Sequence, residues 1–98
     1  MPEETLEAVR DAVFAAGAGR IGDYERSSWY SSGTGTFFGL ETTSPTIGQK
    51  GREERVPEIR FETVYPVERE AEVVRALRAA HPYEEPAFDL YPLVEPPA

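Results

Sequence analysis

The sequence predicts an α+β fold in which two helices cover one face of an antiparallel sheet. Two stretches have the apolar periodicity of helices, segments with the alternation of strands lie between and after them, and a helix–loop–strand unit occurs twice. A duplicated β-α-β unit of this kind predicts a ferredoxin-like, two-layer sandwich.

The two helices are predicted over residues 2–16 and 67–80. A proline stands at the start of each, Pro2 and Pro66, and proline suits the first turn of a helix. Gly17 is typical of a helix C-terminus. The apolar stripes are Leu6, Val9, Val13 and Ala16 in the first helix and Val73, Val74, Leu77 and Ala80 in the second.

The strands are predicted from alternation and from the turn residues that separate them. The clearest alternation places Ile59, Phe61 and Thr63 on one face and charged residues on the other. The predicted strands are residues 23–32, 36–40, 58–65 and 87–93, with a turn at 33–35 and a long loop at 41–58 that tends toward a hairpin.

The internal repeat predicts that the first strand of the sandwich is missing. LEAVRDAVFAAGAGR, which begins at Leu6, matches AEVVRALRAAHPYEE, which begins at Ala71, with one gap. A strand precedes the second copy, but only a few residues precede the first. We expect an empty slot between strands 58–65 and 87–93. Direct pairing of these strands, a segment from a neighbouring subunit or an upstream segment of the natural protein would each fill it.

Composition and charge restrict the class of protein. With 98 residues the chain predicts a single domain over residues 1–94 and a loose tail over 95–98. A net charge of −8 argues against nucleic acid and anionic membrane surfaces as partners. There is no cysteine and no apolar run near the ~20 residues that span a bilayer. We expect a cytoplasmic protein.

The motif HPYEE, residues 81–85, has two interpretations. His81, Glu84 and Glu85 could form a metal site or an acid–base set. Alternatively the motif ends a helix: His81 lies in the last turn, where a cation interacts favourably with the helix dipole, and Pro82 stops the helix. We favour the helix end, and we predict no catalytic residues, no metal ligands and no cofactor.

Two glycine motifs are further candidates for ligand binding. The backbone amides of GAGRIG, residues 17–22, could hold an anion beside Arg20, although a helix end and turn is the favoured interpretation. GTG, residues 33–35, has aromatic side chains nearby that could form an association surface. The candidate ligand-binding residues are Gly19, Arg20, Gly22, Tyr24, Gly33, Thr34, Gly35, His81, Tyr83, Glu84 and Glu85.

The motifs together resemble one family. AAGAGRIGDY, GTGTFF, IGQKG and AAHPYEEPAFDLYPL, in this order, resemble the inserted domain of the Nif-three-like (NGG-interacting factor three) proteins over residues 1–94. The resemblance implies a fold akin to CutA and the PII proteins, which form trimers, and family members usually carry a strand before the first helix. Larger members bind two metal ions through a main domain whose ligands have no counterpart here. We therefore do not expect this chain to have the GTP cyclohydrolase activity for which family members are often named.

The resulting functional expectation is a non-enzymatic, CutA/PII-like module that self-associates, as a trimer before a dimer, and that could in addition bind an unknown small ligand or metal ion. Two alternatives stay open. The chain could be a small enzyme or accessory subunit that uses His81, Glu84 and Glu85 at a subunit interface. It could also dock on a larger, metal-binding Nif-three-like partner.

Overall fold

The computed structural model describes residues 1–41, 51–83 and 86–96. Within these residues two helices pack together on one face of a two-stranded antiparallel sheet, which confirms the predicted α+β class. The elements are α1 at Leu6–Ala15, β1 at Ser28–Phe38, β2 at Glu53–Thr63 and α2 at Glu70–Ala80.

The start and the end of α1 follow from local chemistry. A 3-10 turn at Glu3–Thr5 leads into the helix. At its end the amide of Ala18 donates to the carbonyl of Val13, and the amide of Gly17 donates to that of Phe14. These two bonds form a Schellman motif, which requires a left-handed residue after the helix. Gly17 supplies it with a φ of 115°, as the sequence predicts.

The second helix also lies where the sequence predicts it. Pro66 is extended and precedes a 3-10 turn at Val67–Arg69 that leads into α2. His81 is extended as well, and its amide donates to the carbonyl of Leu77. Pro82 has no amide hydrogen and cannot continue the helix. The interpretation of His81 and Pro82 as a helix end is therefore confirmed.

β1 and β2 form one antiparallel ladder from the Ser28–Thr63 pair to the Phe38–Glu53 pair. The predicted turn at residues 33–35 is wrong, because these residues lie inside β1 and pair with β2. The predicted strands at 23–32 and 36–40 are one strand that begins at Ser28. Of the predicted hairpin loop, 53–58 belongs to β2 and residues 42–50 lie outside the described residues.

The core lies between the helices and β2. An edge-to-face contact joins Phe14 of α1 and Phe61 of β2, with ring centroids 6.3 Å apart. Arg10 extends the packing, since its guanidinium lies over the rings of Phe14 and Tyr30. The buried apolar side chains are Leu6, Val9, Val13, Ala18, Ile59 and Val73.

The predicted last strand, residues 87–93, is wrong. None of the described residues 86–96 takes part in a strand ladder. An extended segment becomes a strand only where a neighbour supplies hydrogen-bonding partners, and an open groove separates this segment from β2. In the described part of the chain, both helices are too short or too polar to cross a membrane.

Candidate functional site

Glu58 is the centre of a polar cluster that joins three parts of the chain. Its Oε1 atom accepts a 2.7 Å hydrogen bond from the hydroxyl of Tyr83. Its Oε2 atom lies 2.7 Å from the amino group of Met1. The Glu58 side chain is only 19% exposed, so water screens these interactions weakly. The cluster therefore holds the N-terminus and the segment after α2 against β2.

The GTG motif makes space for this carboxylate. A Cβ atom at Gly35 would lie 2.5 Å from Cγ of Glu58, which is too close for a real contact. A Cβ atom at Gly33, the residue paired with Glu58, would meet nothing within 4 Å. Thr34 is exposed and, because side chains alternate along a strand, points to the opposite face. Glycine at 35 is therefore the member of the motif that the cluster requires.

His81 serves the cluster as a neutral acceptor. Its Nδ1 atom accepts a 3.2 Å hydrogen bond from the amide of Tyr83, and the two rings meet edge to face at 4.9 Å. Burial lowers the pKa of His81 below its usual 6.5; the Met1 ammonium lowers this pKa further and Glu58 opposes the shift. The predicted cationic role at the helix end is therefore not favoured, because a proton on His81 is unfavourable here.

Tyr83 is held in its protonated form. Burial raises the pKa of its hydroxyl, and the hydrogen bond to Glu58 raises it further. A hydroxyl that keeps its proton is a stable donor and a poor general base. The pair formed by Tyr83 and Glu58 thus has the chemistry of a structural tie between two segments.

The predicted metal or acid–base set is not assembled by the described residues. Glu84 and Glu85 lie outside them, so only His81 of the three can be placed. Among residues 1–41, 51–83 and 86–96, no group of three potential His, Asp or Glu ligands could hold a metal ion.

The GAGRIG loop uses its amides within the fold. Besides the amides of Gly17 and Ala18, that of Gly19 donates to the Val64 carbonyl at 2.7 Å. These three donors are therefore committed to backbone carbonyls, which favours the predicted helix end and turn over an anion site.

The second half of the loop is a tight reversal on the surface. Ile21 and Tyr24 exchange both backbone hydrogen bonds, each 2.9 Å long, around Gly22 with a φ of 56°. A positive φ at the first central position is typical of a type II′ turn. Arg20, Gly22 and Tyr24 are exposed.

The structure keeps this loop apart from the Glu58 cluster. The amide of Gly19 donates a hydrogen bond to the carbonyl of Val64. Val64 follows Glu58 by six residues of extended chain, which places the two residues about 20 Å apart. The candidate residues thus separate into two groups: 33–35, His81 and Tyr83 lie around Glu58, whereas 19–24 lie at the other end.

An open groove of about 1160 Å³ lies between β2 and residues 87–93. It exceeds the roughly 300–1,000 Å³ of usual small-molecule sites. Its position matches the empty slot that the internal repeat predicts. The apolar lining from the core side comprises Val13, Ile59, Phe61, Val73, Val74 and Leu77.

One wall of the groove is an unpaired strand edge. The amide of Ile59 donates to the carbonyl of Met1 at 2.7 Å, and the amino group of Met1 donates to the carbonyl of Ile59 at 3.1 Å. This exchange is the geometry of an antiparallel hydrogen-bonded pair. Since alternate residues direct their backbone groups to the same edge, those of Phe61 and Thr63 face the groove. Within the described residues these groups have no backbone partner.

Sequence reasoning missed Glu58 and the pairing of Met1. Glu58 reads as one of several charged residues in an alternating strand. Its role depends on the register that sets it beside Gly33 and Gly35, and on a tyrosine 25 positions away. No local signal in the sequence identifies either contact.

Comparison with known proteins supports the resemblance to Nif-three-like proteins. No protein-family model matches the chain. A Mycobacterium tuberculosis protein named GTP cyclohydrolase 1 type 2 homolog is 58% identical over 97 residues, which are 99% of this chain and 26% of that protein. A Bacillus subtilis protein of the same name is 45% identical over 98 residues, which are 100% of this chain and 26% of that protein.

A solved structure gives the same result. The crystal structure of a Bacillus cereus protein related to NIF3 matches with a TM-score of 0.83 and 43% identity over 97% of this chain and 24% of that chain. The chain thus spans about a quarter of the length of the relatives it matches. The predicted relationship to CutA and PII stays a prediction.

Proposed function

We propose that this chain is a non-enzymatic association module that docks on a larger Nif-three-like protein. The observation that carries the proposal is the open groove beside the unpaired edge of β2. The relatives add support, because the part of each relative that does not match this chain is about three times as long as the part that does. The cytoplasm stays the expected compartment.

The groove favours association on energetic grounds. Its floor leaves Val74 and Leu77 only partly buried, and covering apolar area stabilises a complex by about 25 cal/mol per Å² before the cost of association. The edge offers backbone donors and acceptors to a strand. Both features call for a polypeptide rather than a small metabolite.

A strand in the groove would complete the predicted ferredoxin-like sandwich. The sheet would then run from residues 87–93 through the added strand to β2 and β1, with both helices on one face. This arrangement is the one that the resemblance to CutA and PII implies, and we include it in the proposal.

Self-association is the second candidate function, with a trimer expected before a dimer. A specific observation favours it: Trp29, Tyr30 and Phe38 of β1 are each about half exposed. Aromatic side chains are enriched at protein interfaces. The far edge of β1 has no strand partner among the described residues, so it offers a second place for pairing.

The catalytic alternative has less support. A general base must accept a proton near neutral pH. Tyr83 keeps its proton and only donates a hydrogen bond to Glu58, and burial lowers the pKa of the His81 imidazole. Its Nδ1 atom is already an acceptor for the amide of Tyr83.

Sedimentation velocity tests the proposal. The chain is measured alone at micromolar concentration and then with the full-length Nif-three-like protein of its own organism. A complex that forms only in the mixture supports docking, whereas a trimer of the chain alone supports self-association. A chain that remains a folded monomer in both samples contradicts both functions.

A further inference from the structure

We infer that residues 20–26 form a pre-organised recognition loop, whose tip, Ile21 and Tyr24, fits an apolar pocket with a basic rim on the Nif-three-like protein. The inference rests on the proposed function and adds to it a contact surface that is separate from the groove. Three features of the loop support it: a closed neck, an arginine held in a strained backbone conformation, and exposed apolar side chains at the tip.

The two ends of the loop are bonded to each other and to the end of β2. The amide of Ser27 donates to the carbonyl of Gly19 at 2.7 Å, and the amide of Gly19 donates to the carbonyl of Val64. The hydroxyl of Thr63 adds a 2.7 Å hydrogen bond to the carbonyl of Ser27. Compact surface loops whose ends are held together in this way are frequently functional. The neck therefore fixes the position at which the loop leaves the fold.

Arg26 is held in a left-handed backbone conformation, with a φ of 57°. This conformation is unfavourable for a residue with a side chain, and it persists only where the surroundings impose it. The guanidinium of Arg26 lies 4.8 Å from the centroid of the Phe14 ring, and its Nη2 atom lies 2.7 Å from Oδ1 of Asp11. A Cβ atom at Gly19 would lie only 2.8 Å from the Phe14 ring, so glycine permits this packing. These contacts offset the strain and hold the loop in one conformation.

The tip of the loop presents apolar side chains on a fixed backbone. Ile21 and Tyr24 exchange two 2.9 Å backbone hydrogen bonds, yet the two residues are 55% and 75% exposed. Tyrosine is enriched among the residues that dominate the binding energy of protein interfaces. A loop that already has its bound conformation loses little conformational entropy when it binds. The tip therefore has the properties of an anchor that inserts into a pocket of a protein partner.

The charges beside the tip define the rim of the partner's pocket. Asp23 and Glu25 flank Tyr24 in the chain, and both are exposed. Arg20 precedes the tip and is also exposed, so two carboxylates and one guanidinium surround the apolar side chains. Opposite charges across an interface favour association, whereas like charges disfavour it, so the rim is basic. A second copy of this chain is disfavoured as the partner, because each copy has a net charge of −8.

The pre-organisation of the loop is tested on the free chain by ¹⁵N relaxation. We expect order parameters of about 0.85, the value of rigid backbone, for the amides of Ile21 and Tyr24. The amides of α1 in the same sample are the reference for rigid backbone. Values of about 0.6 or lower at the tip would show a flexible loop. That result overturns the inference, whatever the chain binds.

The contact is tested by titrating variants of the intact chain into the full-length Nif-three-like protein of its own organism. Ile21→Ser and Tyr24→Ser remove the side chains of the tip. Phe38→Ser is the matched control, because Phe38 is also 55% exposed but lies at the other end of β1, about 33 Å from Ser28. Circular dichroism checks that each variant is folded. We expect each tip variant to bind at least about tenfold more weakly and the control to bind like the unchanged chain.

A charge reversal tests the basic rim. Asp23→Lys places a cation beside the tip without changing the apolar side chains. We expect it to bind more weakly than the unchanged chain, since its new charge meets charges of the same sign. Equal or tighter binding by Asp23→Lys contradicts a basic rim and overturns that part of the inference.

The remaining outcomes separate the inference from the proposed function. A complex that both tip variants form as tightly as the unchanged chain overturns the inference and leaves the proposed function intact, because the chain then docks through another surface. Equal weakening by Phe38→Ser also overturns the inference, since the effect is then not specific to the loop. An oligomer of the chain alone that Tyr24→Ser dissociates makes a second copy the partner. If the unchanged chain forms no complex, the proposed function fails, and the partner named here fails with it.

Discussion

Tyr83 and Glu58, which are 25 positions apart in the chain, are joined by a 2.7 Å hydrogen bond from the phenol to the carboxylate. The same carboxylate pairs with the Met1 ammonium and lies where a side chain at Gly35 would lie. The HPYEE motif, the GTG motif and the N-terminus therefore all meet one acidic residue, and substitutions at Tyr83 and Gly35 are expected to affect stability through it.

Gly35→Ala should destabilise the protein by about 1–3 kcal/mol, since the new methyl group overlaps the Glu58 side chain. Gly33→Ala is the matched control. It meets nothing within 4 Å, and it should be neutral or stabilising by about 0.5–1 kcal/mol because alanine is less flexible than glycine when unfolded. Urea unfolding measures both. Equal effects would show that Glu58 does not occupy this space.

Tyr83→Phe should lower the free energy of unfolding by about 1.5–3 kcal/mol, because it deletes a hydrogen bond to a shielded carboxylate. Tyr24→Phe removes the same atom from a residue that is 75% exposed and should change stability by less than about 0.5 kcal/mol. Thermal and urea unfolding give the comparison. An unchanged free energy of unfolding for Tyr83→Phe would show that the hydrogen bond to Glu58 does not stabilise the fold.

Acidification should destabilise the protein through His81. Its pKa is lowered in the folded state, so below about pH 6.5 the unfolded chain binds more protons. The stabilisation from a neutral His81 is present above that pH and is lost as the pH falls toward the folded pKa. Urea unfolding at pH 7 and pH 5 should show a smaller decrease for His81→Gln than for the wild type. An identical decrease would mean that His81 titrates normally.

Leu77→Ala should cost less than Leu6→Ala. Leu6 is 6% exposed, and its truncation is expected to cost about 2–5 kcal/mol. Leu77 borders the open groove and is only partly buried, so about 1–2 kcal/mol is expected in the isolated chain. A cost for Leu77→Ala equal to that of Leu6→Ala would indicate that the groove is filled in solution.

The helices could be predicted from the sequence because their signals are local. The spacing of Leu6, Val9 and Val13 determines the buried face of α1, and Gly17 ends it through its own φ. The alternation around Ile59 and Phe61 likewise predicts the part of β2 that faces the helices. Each signal acts within a few residues and needs no knowledge of the partner.

The strand assignments failed where pairing overrides local preference. Gly33 and Gly35 favour a turn on their own, but pairing with β2 holds them in an extended strand, and Gly35 leaves space for Glu58. Residues 87–93 alternate like a strand, yet they form no ladder in the described structure. Alternating apolar and polar residues indicate that a segment could lie in a sheet, but a strand forms only where an adjacent strand supplies hydrogen-bonding partners.

The same distinction between local signals and long-range contacts applies to the candidate site. The repeated helix–loop–strand unit predicts an empty slot, because duplication is visible in the sequence itself, and the groove lies at that position. The contacts of Glu58 with Met1 and Tyr83 link residues far apart in the chain, so they follow from the packing of the folded chain and not from a local signal.

The central claim, that β2 presents an unpaired edge to the groove, is tested most directly by amide hydrogen exchange of the isolated chain followed by NMR. The amides of Arg60 and Glu62 face β1 and should exchange slowly, whereas those of Phe61 and Thr63 face the groove and should exchange much faster. Slow exchange at all four positions would contradict the account, because it would show that a strand already occupies the groove.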